Sequence, residues 1–211
     1  MAQVKKDYLG AGVIGIIAAV LSKVMITNLE IQISYPIFAV FIFFICIAGM
    51  FVARVFLKKK ILSLYQFVKF GETGGLNTFI DLGILNLLIL LSGISGGAYY
   101  SVFKGISFLV AVTNSYFWNR FWVFESKEKK KTADEAMRFY IISFIGFIIN
   151  VLVATVIVNF GANLINVGGN LLANIGAVAA FVITMMFNFF GYKFFVFIKT
   201  KESKQETHLD K

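Results

Sequence analysis

Cysteine, proline and histidine each occur once in the 211 residues, and only 15% of the residues are charged. The single cysteine, Cys46, lies in an apolar run and has no partner for an intrachain disulfide. The single histidine, His208, lies in a polar tail, so neither a Ser/His/Asp catalytic set nor a metal site of clustered ligands can form. Residues 71–75 lack the Gly-Lys-Ser/Thr ending of a phosphate-binding loop. The sequence therefore predicts a protein that is not an enzyme and needs no cofactor.

Apolar residues, by contrast, are abundant. They make up 59% of the chain, and the mean hydropathy is +0.83. A soluble globule of this length needs more polar residues than this to cover its surface. The composition predicts an all-α integral membrane protein.

Six apolar stretches are each long enough to span a membrane. A helix of about 20 residues, at about 1.5 Å per residue, crosses roughly 30 Å of hydrocarbon. Pro36 suits the first turn of the second helix, and the tail at 199–211 is expected to be disordered. The predicted spans are 8–26, 37–57, 67–91, 100–124, 139–160 and 171–197.

The distribution of cations predicts the orientation. Four segments, the amino terminus, 54–69, 120–138 and 193–211, hold 18 of the 20 Lys and Arg residues. Only Lys23 and Lys104 remain for the opposite side. The positive-inside rule then puts both termini in the cytoplasm, in a multi-pass protein of the plasma membrane. The net charge of +9 is explained by this topology and by attraction to anionic lipid, without a nucleic-acid partner.

The last four spans carry an internal repeat. A shift of 73 residues aligns 65–126 with 138–199, matching Asn77 with Asn150 and Arg120 with Lys193. A repeated two-helix unit must keep its orientation, so the two copies are predicted to be parallel repeats. We therefore expect a two-helix hairpin at 1–60 and a four-helix domain at 61–198.

Two acidic residues lie inside the third span and have no acidic counterpart in the second copy. An ionised Asp81 there would cost about 2.5–3.5 kcal/mol, so it needs a partner, a proton or a water-filled cavity. Glu72 could pair with Lys69, three residues earlier, or serve a function. At the corresponding positions the second copy has Ala154 and Ile145.

The cations and amides of the spans have two interpretations each. Arg120 and Lys193 suit a lipid phosphate, or they anchor helices at the interface. Lys104 lies 16 residues before Arg120, about 24 Å along a helix, so one helix offers a cation near each leaflet. Five amides either hydrogen-bond between helices or line a polar path: Asn77, Asn114, Asn119, Asn150 and Asn188.

The third span, FVKFGETGGLNTFIDLGILNLLILL, the stretch SFLVAVTNSYFWNRFWVF and its echo NFFGYKFFVF together resemble the GtrA-like family of four-helix membrane proteins. The resemblance covers about residues 65–198, and the leading hairpin departs from the usual architecture. It implies flipping of a polyprenyl-phosphate-linked monosaccharide, for example on undecaprenyl phosphate, for cell-surface polysaccharide or teichoic-acid glycosylation. It also implies work beside glycosyltransferases that load and use the lipid.

Together with this resemblance, the placement of the polar groups suggests a route. Arg120 and Lys193 would receive the phosphate at the cytoplasmic side, and Lys104 would take it on the far side. The asparagines, with Asp81 and Glu72, would line the headgroup path. Two alternatives stay open: a non-transporting scaffold for a polyprenol-phosphate glycosyltransferase, and a proton-coupled transporter of small solutes. A homo-oligomer is compatible with either.

Overall fold

The computed structural model describes residues 2–28, 30, 32–58, 61–126, 132–161 and 169–197, and this part of the chain is helical without a strand. The all-helical prediction is confirmed. The helices are α1 (Ala2–Asn28), α2 (Tyr35–Phe56), α3 (Leu62–Ser92), α4 (Gly97–Trp118), α5 (Thr132–Gly161) and α6 (Gly169–Gly191). The predicted tail at 199–211 and the lysines at 127–131 lie outside the described residues.

Among the described residues, five helical stretches are long and apolar enough to cross a membrane. They expose large hydrophobic side chains, such as Phe44 and Phe144, as helices surrounded by lipid do. The five stretches are Val4–Asn28, Tyr35–Phe56, Leu62–Ser92, Ala133–Phe160 and Ile175–Val196. Helix α4, which contains Lys104 and Asn114, is not among them. A multi-pass membrane protein follows, while α4 as a sixth span stays a prediction.

Local sequence explains where several helices begin and end. Pro36 lies in the first turn of α2, as predicted. Helix α3 ends at Gly93, which adopts a left-handed backbone conformation (φ 71°) and donates its N–H to the Ile89 carbonyl at 2.8 Å. Only residues 93–96 separate α3 from α4, so the two packed helices form an antiparallel hairpin.

The chain divides into two compact units, residues 1–125 and 126–211. In the first unit, α1 packs against both α2 and α3, and α4 packs against α3. Two glycines permit these close approaches: a Cβ at Gly15 would lie 3.0 Å from the Phe43 Cα atom, and one at Gly83 would lie 3.0 Å from Leu21. The predicted N-terminal hairpin is therefore packed on the first helix of the four-helix domain.

In the second unit, α5 pairs with α6. Contact is again close at glycines. A Cβ at Gly191 would lie 2.8 Å from the Ile142 side chain. The described part of this unit thus consists of one packed helix pair.

Candidate functional site

Helices α4 and α6 both end in a π-helical turn, which the sequence did not predict. The first π-turn is Asn119–Val123 and the second π-turn is Tyr192–Val196. They lie 73 residues apart, in the register of the predicted duplication, and each has a cation as its second residue, Arg120 or Lys193. Such turns are rare and occur frequently at functional sites. The shared backbone distortion supports the repeat and singles out these two cations.

Arg120 is held inside the protein by aromatic side chains. It is only 6% exposed, and its Nη1 donates a hydrogen bond to the Tyr116 hydroxyl at 2.6 Å. Its guanidinium carbon lies 5.8 Å from the centre of the Tyr116 ring and 5.5 Å from that of Phe121. A cation over ring faces is stabilised by their quadrupoles. Arg120 is thus buried among protein side chains, whereas a snorkelling anchor keeps its charge in water.

Lys193 also lies near two aromatic rings, with two differences. Its Nζ atom lies 5.6 Å from the Phe189 ring centre and 5.9 Å from that of Phe194, the positions that correspond to Tyr116 and Phe121. Phe189 has no hydroxyl to accept a hydrogen bond. Lys193 is also only half-buried. The second π-turn therefore leaves its cation more exposed than the first.

An apolar groove borders the first π-turn. It has a volume of about 350 Å³ and lies between α1 and the end of α4. Lys6 lies in it and donates a hydrogen bond from Nζ to the Phe121 carbonyl oxygen at 2.8 Å. The other lining residues are Leu9, Gly10, Val13, Phe117, Trp118, Phe121 and Trp122. The groove thus combines a hydrocarbon-like wall with one cation.

Asp81 meets its predicted need for a partner across the α3–α4 hairpin. It forms an ion pair with Lys104, and it accepts a hydrogen bond from the Ser107 hydroxyl at 2.6 Å. The Lys104 side chain is 43% exposed and that of Asp81 is 22% exposed. Both groups can therefore be reached from outside the protein.

One turn of α3 away, a second polar pair joins the same helices. Asn114 donates a hydrogen bond from Nδ2 to the Asn77 Oδ1 atom at 2.9 Å. Asn77 precedes Asp81 by four residues, about 6 Å along the axis, so the two pairs form a continuous strip. We call Asn77, Asp81, Lys104, Ser107 and Asn114 the α3–α4 polar seam.

The remaining predicted amides lie outside this seam. Asn119 is completely buried and donates to the Ser115 carbonyl at 2.8 Å within its own helix. Asn188 packs over Gly146, where a Cβ would lie 2.2 Å from its Oδ1 atom. Asn150 is half-buried on α5, and no hydrogen bond between Asn150 and Asn188 is present in the described part of the chain. Asn119 therefore has a local structural contact, and the described part of the second unit has no counterpart of the seam.

A buried carboxylate that the sequence analysis missed joins the N-terminal hairpin to α3. Asp7 is completely buried and accepts bonds from Arg54 at 2.7 Å, Lys58 at 2.9 Å and Lys69 at 3.1 Å. Lys69 also bonds to Glu125 at 3.2 Å. We call these five residues the Asp7 cluster. The only sequence signal is an acidic residue at the start of an apolar run.

The Asp7 cluster corrects the suggested pairing of Glu72. Lys69 bonds to Asp7 and Glu125 instead of Glu72. Both Glu72 carboxylate oxygens are buried, and no described residue donates a hydrogen bond to them. The helical spacing of Lys69 and Glu72 allowed their pairing, but packing of α1 brought a competing carboxylate to the lysine.

Comparison with known families identifies the domain that contains both π-turns and the polar seam. The family described as "GtrA/DPMS, transmembrane domain" matches residues 69–197, more than half of the chain. The chain belongs to this family. Both π-turns and the α3–α4 polar seam lie within the GtrA/DPMS domain, so the predicted resemblance is confirmed. Helices α1 and α2 lie before the domain, and Lys69, which binds Asp7, is its first matched residue.

A bacterial relative supports this assignment. "Uncharacterized membrane protein YngA" of Bacillus subtilis (strain 168) is 32% identical to the chain over 143 residues. The matched region covers 68% of this chain and 84% of the relative. No solved structure matches the chain.

Proposed function

We propose that the protein translocates a polyprenyl-phosphate-linked monosaccharide across the cell membrane, for glycosylation of cell-surface polysaccharide or teichoic acid. The GtrA/DPMS family is associated with translocation of such lipids. The observation that carries the proposal for this chain is the α3–α4 polar seam, because it offers exchangeable polar partners along a membrane helix. The proposal includes the type of sugar, the type of lipid and the cytoplasmic location of both termini.

The two π-turn cations receive the phosphate. A lipid phosphate is an anion that stays near the headgroup level, and Arg120 and Lys193 border that level in the predicted topology. Charge-assisted hydrogen bonds from cations to phosphate are about twice as strong as neutral ones. The ring faces around Arg120 exclude water, which strengthens the attraction further. Lys193, which is half-buried, is the more exposed of the two cations.

The sugar headgroup then follows the α3–α4 polar seam. A sugar hydroxyl both donates and accepts hydrogen bonds, so it can replace either partner of the Asn77–Asn114 pair without leaving a buried polar group unsatisfied. At the far end of the seam, Lys104 leaves its ion pair with Asp81 and binds the phosphate instead. Glu72 and Asn119 serve the same path in the first unit, and Asn150 and Asn188 are proposed to contact the sugar in the second unit.

The prenyl chain stays in apolar surroundings throughout. The groove beside the first π-turn supplies a hydrocarbon-like wall within reach of Lys6, whose charge favours an anionic headgroup nearby. No polar group has to be buried for the chain to lie there. The loaded lipid would come from a glycosyltransferase at the cytoplasmic face, and the protein works as one chain or as a homo-oligomer.

A sidedness assay tests the proposal. Liposomes carry a labelled polyprenyl-phosphate monosaccharide, and an impermeant oxidant of sugars reports which molecules have reached the outer leaflet. We expect the full chain to accelerate oxidation of the inner-leaflet sugar, and the Arg120→Ala/Lys193→Ala double variant to lose this acceleration. Lys23→Ala, which removes an exposed cation outside the site, is the matched control and should keep it.

Equal rates with and without correctly folded protein would reject translocation. That outcome would favour the scaffold alternative, in which the seam only holds α3 against α4. Co-purification of a polyprenol-phosphate glycosyltransferase with the tagged chain would then be the next measurement.

A further inference from the structure

Glu72 is an acidic side chain in a membrane-spanning helix whose oxygens accept no hydrogen bond within the described part of the chain. Oε1 lies against Gly49 of α2, where an added Cβ would be 3.2 Å away. An ionised carboxylate without a partner inside a membrane helix is costly, and a bound proton removes that cost. The site is therefore suited to a neutral carboxyl group.

Two ionisable groups interact with Glu72. They are the Lys69 ammonium, one turn earlier on α3, and the Cys46 thiol on α2. The neighbouring elements bring further charged groups to α3, and each of them bonds to another residue: Asp7 from α1, Arg54 from α2, Lys104 from α4, Arg120 from the first π-turn, and Glu125. Lys69 is thus the one cation within a helical turn of Glu72, and two other carboxylates hold it.

We infer that Glu72 is a proton-binding site that couples proton movement to transport of the lipid. When its O–H bond breaks, the proton leaves to water and a carboxylate remains beside Gly49. That carboxylate competes with Asp7 and Glu125 for Lys69, since residues three apart on a helix are neighbours. Deprotonation therefore loosens the Asp7 cluster, which attaches the N-terminal hairpin to α3.

The coupling half of this inference rests on the proposed function, whereas proton binding does not. Infrared difference spectra of the full chain in lipid, recorded between acidic and alkaline pH, detect the carbonyl stretch of a buried carboxyl group. We expect Glu72→Gln to lose a titrating band. Glu72→Asp should retain one at a shifted pH, and Glu30→Gln, which changes an exposed acid between α1 and α2, should leave the band unchanged. A band that persists in Glu72→Gln overturns the proton site.

Transport in the same liposomes tests the coupling. A pH gradient should change the rate of the wild-type chain severalfold, and Glu72→Gln should show the same rate with and without the gradient. A wild-type rate that is the same with and without the gradient overturns the coupling. If no lipid moves at all, the proposed function fails together with the coupling, whereas the infrared band still decides whether Glu72 binds a proton.

Discussion

The Asp7 carboxylate lies 3.1 Å from the Lys69 ammonium, although 62 positions separate the two residues in the sequence. Lys69 is the first residue matched to the family, and Asp7 belongs to the hairpin before it. This ion pair therefore ties a segment outside the family domain to the helix that carries Glu72 and Asp81. The hairpin is part of the same packed unit and is placed to influence the site.

Replacing Asp7 by Asn should destabilise the protein. The change leaves Arg54, Lys58 and Lys69 close together without their shared anion, and removing one partner of a buried ion pair typically costs about 3–5 kcal/mol. The lower end applies here, because the Arg54 and Lys58 side chains are 20% and 27% exposed. Denaturant unfolding in detergent measures the loss. Asp134→Asn, at an exposed position of α5, is the control, and equal stability of the two variants would contradict the assigned role of Asp7.

Replacing Gly146 by Ala should strain the α5–α6 contact. The new Cβ would lie 2.2 Å from Asn188 Oδ1, so the amide has to move. Overpacking of this kind typically costs about 1–3 kcal/mol. Thermal unfolding measures the effect, with Gly74→Ala, which has no atom within 4 Å of its new Cβ, as the control. Adding Asn188→Ala should recover most of the loss, and a double variant as unstable as the single one would exclude this contact as the cause.

A double variant in the α3–α4 polar seam distinguishes a transport path from a seam that only holds the two helices together. Lys104→Gln leaves Asp81 without its ion pair and should lower both stability and translocation. The stability loss stays below the about 2.5–3.5 kcal/mol of a fully lipid-buried charge, since Asp81 is 22% exposed. Lys104→Gln with Asp81→Asn should recover stability, because no unpaired charge remains, but not translocation. If the double variant recovered both stability and translocation, the pair would only hold α3 against α4.

Tyr116→Phe should make the first π-turn resemble the second, where Phe189 occupies the equivalent position. The change removes the hydroxyl that accepts the 2.6 Å hydrogen bond from Arg120. Hydrogen bonds to charged groups contribute about 1.5–3 kcal/mol, so unfolding in detergent should show a loss of this order. Tyr99→Phe, at an exposed ring of α4, should change little. A Tyr116→Phe variant as stable as this control would mean that the aromatic rings alone hold Arg120.

Much of the fold could be predicted because its signals are local. The apolar runs, the helix start at Pro36 and the family motif each depend on neighbouring residues. The first π-turn could not be predicted, because its sequence Asn119–Val123 is also compatible with an ordinary helical ending. Only the paired register of Arg120 and Lys193 indicated that this ending was special.

The candidate site was predictable in composition and less so in its partners. The need of Asp81 for a partner follows from the cost of a charge in lipid. Its partner Lys104, however, lies 23 positions away in the sequence and was expected to bind the lipid phosphate. For Lys69 the nearest carboxylate in sequence was Glu72, and packing supplied Asp7 instead. Pairing between charged groups depends on which helices meet, and that is a property of the packed chain.

By itself, the sequence determined that this is a helical membrane protein of the GtrA/DPMS family, because composition, hydropathy and motif spacing are properties of the chain before it folds. The tertiary structure decided which polar groups satisfy one another. It drew Lys69 to Asp7, joined Lys104 to Asp81, and placed Glu72 against Gly49 without a hydrogen-bond partner among the described residues. A polar group inside a membrane must bond to whatever its neighbouring helices bring, and only packing selects those neighbours.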